Sequence, residues 1–347
     1  MGRPLLVVLF ALARVTPVLA QGRLVDDSIR SPALENNLLG DNPTRHFLVY
    51  LPPSYALDDG RRYPTLYLLH GFGSSPISWV NGDYQGLAIT HAMDSLIAAG
   101  GLKEFVIVMP DGANRLGGSA FVNSSTTGAW ETYLIRDVVR AAESRYRLIR
   151  RATSRGIAGH SMGAAAALRI AMRFPGIFSA VYGMSPNALL PCETLSPAES
   201  DSLLSLTRLS ASDSLSFWPQ VCLGYAAAFS PDSSRPPFFA DFPFTRTAAG
   251  VAMDSMVIER WRGWMLLDMA PRYREGLVRL KAIAFDVGIG DPYHPGVVRL
   301  DSLLTRLRVR HSFESFEGGH ADRVRERLTS HLLPFFSTIL DFGPEGS

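Results

Sequence analysis

The sequence predicts an open, mostly parallel α/β sheet with helices on both faces, and three observations carry that expectation. Short apolar runs recur at "YPTLYLLHG" (63–71), "EFVIVMPDG" (104–112), "FSAVYGMSP" (178–186) and "LKAIAFDVGIGD" (280–291). Continuous apolar character of this length marks strands covered on both faces. Helical patterns fall between them, as in "GAWETYLIRDVVRAAESRY" (128–146), and strand–helix alternation belongs to a wound parallel sheet. Finally, each run ends in Gly, Pro, Asp or His, residues that open a strand into a loop. Ligands of such sheets bind at the carboxyl ends of the strands.

Taken in order, the chain begins "MGRPLLVVLFALARVTPVLAQGR". Arg3 supplies a basic start, Leu5 to Leu12 an apolar centre, and Val18-Leu19-Ala20 a small-residue cleavage site. Residues 1–20 therefore resemble a secretory signal peptide, with the mature protein secreted or periplasmic. Arg14 interrupts the apolar run and argues against a spanning helix. Next, "RHFLVYLP" (45–52) alternates like an edge or near-edge strand. The stretch from about 187 to 276 breaks the α/β rhythm. It holds both cysteines, a proline-rich "SPDSSRPPFFADFPF" and Trp218, Trp261 and Trp264. Without a strand pattern of its own, it reads as a lid-like insertion over the strand ends, inside a single domain spanning 21–347.

Composition narrows the function. The 347 residues are 47% hydrophobic and 19% charged, enough for a large soluble core. Net charge is +2, from 34 basic and 32 acidic residues, and the densest basic stretch, "RYRLIRRATSR" (145–155), reads as a solvated loop. No nucleic-acid partner is expected. The only two cysteines, Cys192 and Cys222, either bond after export or remain buried thiols. They make no zinc site, and no metal or cofactor signature is present.

The segment "GIAGHSMGAAAALRIAMRFP" (156–175) sets Ser161 between Gly159 and Gly163. Gly156-Ile157-Ala158 reads as the end of a buried strand, and Ala164 to Met172 as a helix whose alanines can lie close to a sheet. Pro175 and Gly176 stop it. Ser161 thus occupies a tight strand-to-helix corner, where small flanking residues lift its oxygen above the sheet near the positive end of the helix.

A serine needs a base to take its proton, and at this corner the expected chain order is serine, acid, histidine. His46, His70, His91 and His160 precede or adjoin Ser161, while His311 and His331 fall in an apparent strand and a terminal helix. His294 follows a candidate acid too closely. His320, after Gly318-Gly319, remains. For the acid, chain order leaves Asp286 and Asp291 open. Strand alternation puts Asp286 with Ala282 and Ala284 on one face, where its carboxylate needs buried partners of its own. Asp291 follows Gly288 and Gly290 in a loop beyond the strand end, free to turn toward an imidazole. The exposed glycine-rich backbone of "LLHGFGSS" (68–75) offers oxyanion donors: the N–H groups of Phe72 and of Met162, directly after the serine.

Together, "LLHGFGSSPISW", "GIAGHSMGAAAALRIAMRFP", "FDVGIGD", "EGGH" and "GAWETYLIRDVV" resemble the esterase D family of α/β hydrolases. That family includes S-formylglutathione hydrolases, feruloyl and acetylxylan esterases, siderophore esterases and mycolyltransferases. The resemblance spans about 30–185 and 278–335. It departs at Ala164, where a second glycine is common, and in the long 187–276 insertion. It implies an α/β-hydrolase fold and a serine carboxylic-ester hydrolase with the triad Ser161, Asp291 and His320. The implied substrate is a small-molecule or carbohydrate ester, and no cofactor is implied. Two alternatives share the fold: an acyltransferase of the mycolyltransferase type, and a non-catalytic binding protein.

Overall fold

The computed structural model describes residues 21–343 apart from 191 and 194, so the leader-like stretch 1–20 lies outside the described residues. Eight strands form the central sheet: β1 (Arg23–Arg30), β2 (Thr44–Leu51), β3 (Thr65–Leu69), β4 (Val106–Pro110), β5 (Arg155–His160), β6 (Ala180–Met184), β7 (Ala282–Gly288) and β8 (Ser312–Phe316). Their spatial order is β1-β2-β4-β3-β5-β6-β7-β8. Only β2 runs against both of its neighbours; every other pairing is parallel. The mostly parallel α/β architecture expected from the apolar runs is therefore present.

Register brings the functional segments to one edge. Leu69 pairs with Gly159, Gly159 with Gly183, and Met184 with both His160 and Asp286. The loops that start at His70, Ser161, Ser185 and Ile289 consequently leave the sheet side by side, at the carboxyl ends of their strands. A one-residue slip in any pair would turn buried side chains to the opposite face, and both faces here are covered. On β7, Ile283, Phe285 and Val287 enter one buried cluster with the alanines of helix α1 (Met162–Arg173). Ala284 enters a second cluster with Leu328, Leu332 and Phe336 of the C-terminal helical stretch. Alternation along β7 thus has the phase expected from its sequence.

The edge strand β1 is a difference. Its sequence "RLVDDSIR" carries adjacent acids, and Ile29 is its only buried residue. An edge strand exposed along most of its length leaves little hydrophobic pattern to read; backbone pairing with β2 defines it.

The 187–276 stretch is mainly helical, with helix α2 (Phe217–Phe229) at its centre. Contrary to expectation it has a strand pair of its own, a hairpin of Phe244–Thr247 and Gly250–Met253. Four-residue strands with mostly exposed side chains carry no usable period. Leu203, Cys222, Leu223, Trp261 and Leu266 join the same buried cluster as the α1 alanines, so the insertion shares its interior with one face of the sheet. Cys192 and Cys222 are bonded, with Cα atoms 5.2 Å apart. That bond ties α2 to the loop following β6.

Candidate active site

Ser161 is the hinge between β5 and α1, with φ 56° and ψ −116°. A non-glycine residue at positive φ costs on the order of 1–3 kcal/mol and persists only where its surroundings impose it. Those surroundings are backbone. A Cβ added at Gly163 would lie 2.4 Å from the carbonyl oxygen of Leu69, and one at Gly159 would lie 2.5 Å from the Gly163 carbonyl carbon. Both glycines are therefore required by close approach rather than by their own dihedrals. The Ser161 N–H donates to Met184 O at 3.0 Å, and its carbonyl accepts from the Ala165 N–H at 3.0 Å, which anchors the corner on both sides.

The Ser161 Oγ lies 2.8 Å from His320 Nε2, and His320 Nδ1 lies 2.8 Å from Asp291 Oδ2. The tautomer follows from the partners: Nδ1–H donates to the carboxylate, and Nε2 accepts from the hydroxyl. Asp291 Oδ1 accepts the Tyr293 N–H at 2.8 Å, and Ser185 also hydrogen-bonds this carboxylate. Burial pushes the carboxyl pKa up, but His320, Tyr293 and Ser185 outweigh it, and the group sits below the usual aspartate value. The Asp291 side chain is fully buried and His320 is partly open, at 28% exposure. Ser161, Asp291 and His320 are thus brought together in the serine–histidine–acid pattern that activates a hydroxyl.

Asp286 is not part of this chain of contacts. It stays on β7, fully buried, with Oδ2 accepting from Tyr182 Oη at 2.7 Å and from Arg327 Nε at 2.9 Å. These are the separate partners that its strand position called for.

At the end of β3, the orientation of one peptide is set by His70. The Gly112 N–H donates to His70 Nε2 at 2.9 Å, so Nδ1 carries the proton and donates to Gly71 O at 2.8 Å. Ser74 N–H donates to the same carbonyl at 3.3 Å. In a trans peptide the N–H points opposite to the C=O, so pinning the Gly71 carbonyl fixes the direction of the Phe72 N–H. Gly73 N–H is already bonded to Gly117 O at 2.9 Å. The Met162 N–H is the first of α1, a position with no intrahelical acceptor. Neither the Phe72 nor the Met162 N–H donates a hydrogen bond among the described residues.

Sequence reasoning missed several supporting groups. His160, set aside because it precedes the serine, donates from Nε2 to the carbonyl oxygen of His320 at 2.8 Å, with ring centroids 4.9 Å apart. Burial first, and then the neighbouring His320, pushes its pKa down to about 3, so it stays a neutral donor. Tyr293 lies edge-on to the His320 ring at 5.3 Å. His70 had a signal in its place directly after an apolar strand, and Tyr293 one in its place two residues after Asp291; Ser185 had none, because only the pairing of β6 with β7 brings it near Asp291. Among the described residues no group of His, Cys, Asp and Glu could hold a metal, and no helix is long and apolar enough to cross a membrane.

Comparison with known proteins agrees with this architecture. A family model described as "Putative esterase" matches residues 41–245, more than half of the chain. An esterase of Mycobacterium tuberculosis is 33% identical over 175 residues, covering 48% of this chain and 35% of that protein. An endo-1,4-beta-xylanase/feruloyl esterase of Xylanibacter ruminicola is 32% identical over 152 residues, covering 43% of this chain and 20% of that protein. The chain thus spans about a third or less of the length of these relatives. Among solved structures, a ferulic acid esterase matches with TM-score 0.64 and 22% identity, over 92% of this chain and 99% of that one. An S-formylglutathione hydrolase from Agrobacterium tumefaciens matches with TM-score 0.60 and 14% identity, over 93% and 97% of the two chains. At such identities the likeness is one of fold, that of the α/β hydrolases. The extent of the family match settles membership: this chain belongs to the esterase family.

Proposed function

We propose that the protein is a serine esterase that hydrolyses carboxylic esters through an acyl-enzyme. The single observation that supports this most is the unbroken contact from Ser161 Oγ through His320 to Asp291, each step 2.8 Å. His320 Nε2 takes the hydroxyl proton as Ser161 attacks the ester carbonyl, and Asp291 stabilises the imidazolium that results. The carbonyl oxygen, now negative, is held by the Phe72 and Met162 N–H groups and the positive end of α1. His320 then gives its proton to the leaving alcohol oxygen. In the second half the same nitrogen takes a proton from water, which attacks the acyl carbon, and returns it to Ser161 as the acid leaves.

The substrate is the ester of a small-molecule or carbohydrate alcohol, and the feruloyl-esterase names among the relatives support this reading. The protein acts outside the cytoplasm: the leader-like residues 1–20 and the Cys192–Cys222 bond both support export. Ser161→Ala tests the reaction. A fluorophosphonate probe is expected to label the parent at Ser161, and the variant to lose labelling and turnover of p-nitrophenyl esters while its melting temperature stays near the parent's. Turnover by folded Ser161→Ala at near-parental rate would remove the nucleophile.

A further inference from the structure

Phe217, the first residue of α2, is 52% exposed. One exposed aromatic is ordinary, but this one is a link in a continuous series of ring contacts. Phe72 lies edge-on to Phe217 at 6.3 Å, Phe217 to Trp218 at 5.2 Å, Trp218 to Tyr293 at 6.2 Å, and Tyr293 to His320 at 5.3 Å. Each spacing lies within the range of favourable aromatic pairs. The series starts on the residue whose N–H faces the oxyanion and ends on the imidazole bonded to Ser161. It therefore borders the reacting serine with apolar surface supplied by the insertion.

The position of α2 is well determined. Tyr225, two turns further along, is buried and stacked on Phe72 at 6.2 Å. A Cβ added at Gly224 would lie 2.7 Å from the Phe72 ring. Cys222 bonds Cys192, beyond Asn187, whose N–H reaches Ser161 O at 3.5 Å. The helix is held against the oxyanion loop on one side and against the loop beside the serine on the other, so its first residues present a fixed wall.

We infer that Phe217 and Trp218 form the wall against which the acyl chain of the ester packs, and that they select apolar, extended acyl groups over acetyl. The inference rests on the reading of Ser161 as nucleophile. With the carbonyl oxygen on the Phe72 and Met162 N–H groups, the leaving oxygen must turn to His320 Nε2 to receive its proton. The acyl chain then departs on the side away from His320. Phe217, packed on Phe72, stands near the end of the ring series remote from His320, and Trp218 continues the surface from Phe217 toward Tyr293.

The test uses the full chain and holds the leaving group constant. For parent, Phe217→Ala/Trp218→Ala, Phe217→Leu and Trp218→Phe, kcat/KM is measured for p-nitrophenyl octanoate and p-nitrophenyl acetate. Ethyl and phenyl acetate are compared in parallel, and Ser161 labelling by fluorophosphonate is followed throughout. A pocket contact of one or two methylenes discriminates by about tenfold or more. The octanoate-to-acetate ratio is therefore expected to fall about tenfold in the double alanine variant. It should fall much less in the two single variants, which keep apolar bulk and carry the test should the double variant not fold. An unchanged ratio with Ser161 still labelled overturns the wall and leaves the nucleophile standing. A shift in the phenyl-to-ethyl ratio instead of the acyl ratio overturns it too, by placing the wall on the alcohol side. A parent that neither labels at Ser161 nor hydrolyses either ester overturns the nucleophile and the wall together.

Discussion

Neutralising Asp291 separates the two candidate carboxylates and tests how the imidazole is held. In Asp291→Asn the side chain keeps its shape, but its two ends are no longer equivalent. The oxygen facing the Tyr293 N–H must remain an acceptor, because that donor lies 2.8 Å away in a buried site. The amide nitrogen is then the end facing His320 Nδ1, 2.8 Å away in the parent. Two donors cannot share that contact, so Nδ1 becomes the acceptor and the imidazole proton moves to Nε2. An Nε2–H pointing at Ser161 Oγ cannot take the hydroxyl proton. Loss of the right tautomer in a serine–histidine–acid site lowers kcat by about 10⁴, equivalent to about 5 kcal/mol of transition-state stabilisation. The assay is p-nitrophenyl ester hydrolysis under saturating substrate, with circular dichroism and thermal melting to show that the variant is folded. Asp286→Asn is the companion. It weakens a fully buried ion pair with Arg327, so it is expected to lower stability by up to about 3–5 kcal/mol while the folded fraction keeps its kcat. Folded Asp291→Asn within tenfold of the parent, with Asp286→Asn inactive, would refute the reasoning.

Other expectations follow from the supporting groups. His70→Ala releases the Gly71 carbonyl and with it the aim of the Phe72 N–H. It is expected to lower kcat about 10²-fold with KM changed much less; a pure KM effect would show that His70 acts on binding instead. His160 is neutral in the fold down to about pH 3, whereas in the unfolded chain it takes a proton near 6.5. Between those values the unfolded chain binds more protons, so this contribution is whole above about pH 6.5 and is lost as pH falls toward 3, by on the order of 5 kcal/mol. The melting-temperature gap between parent and His160→Gln should therefore narrow or reverse from pH 7 to pH 4, and a gap independent of pH would contradict it. Replacing both Cys192 and Cys222 by serine opens a loop with a sequence separation of 30. It is expected to cost about 3–4 kcal/mol in denaturant unfolding. Peptide mapping of exported protein without reductant should find the two joined, and two free thiols would remove this bond from the account.

Much of the molecule was legible because strong local signals and the fold agree. Four apolar runs mark β3, β4, β6 and β7, and the small residues around Ser161 mark the turn into α1. The glycines flanking Ser161 are readable as the mark of a tight strand-to-helix turn, although the Leu69 carbonyl that excludes a Cβ at Gly163 belongs to β3. Strand alternation likewise separated Asp286 from Asp291 before any contact was known. Chain order and the glycines before it singled out His320 among eight histidines. Tertiary structure alone decided the rest. β1 exists because β2 offers it a ladder, not because its side chains demand burial. Tyr293 reaches Asp291 through a local turn, but Ser185 and His160 support Asp291 and His320 through parallel pairing of strands far apart in sequence. The ring series from Phe72 to His320 depends on where α2 docks, and the 187–276 stretch has no periodicity that could announce it. Local sequence reports what a residue's own backbone can tolerate; which groups then meet across the ends of the sheet is set by register and by the packing of an irregular insertion, and no short window of sequence contains either.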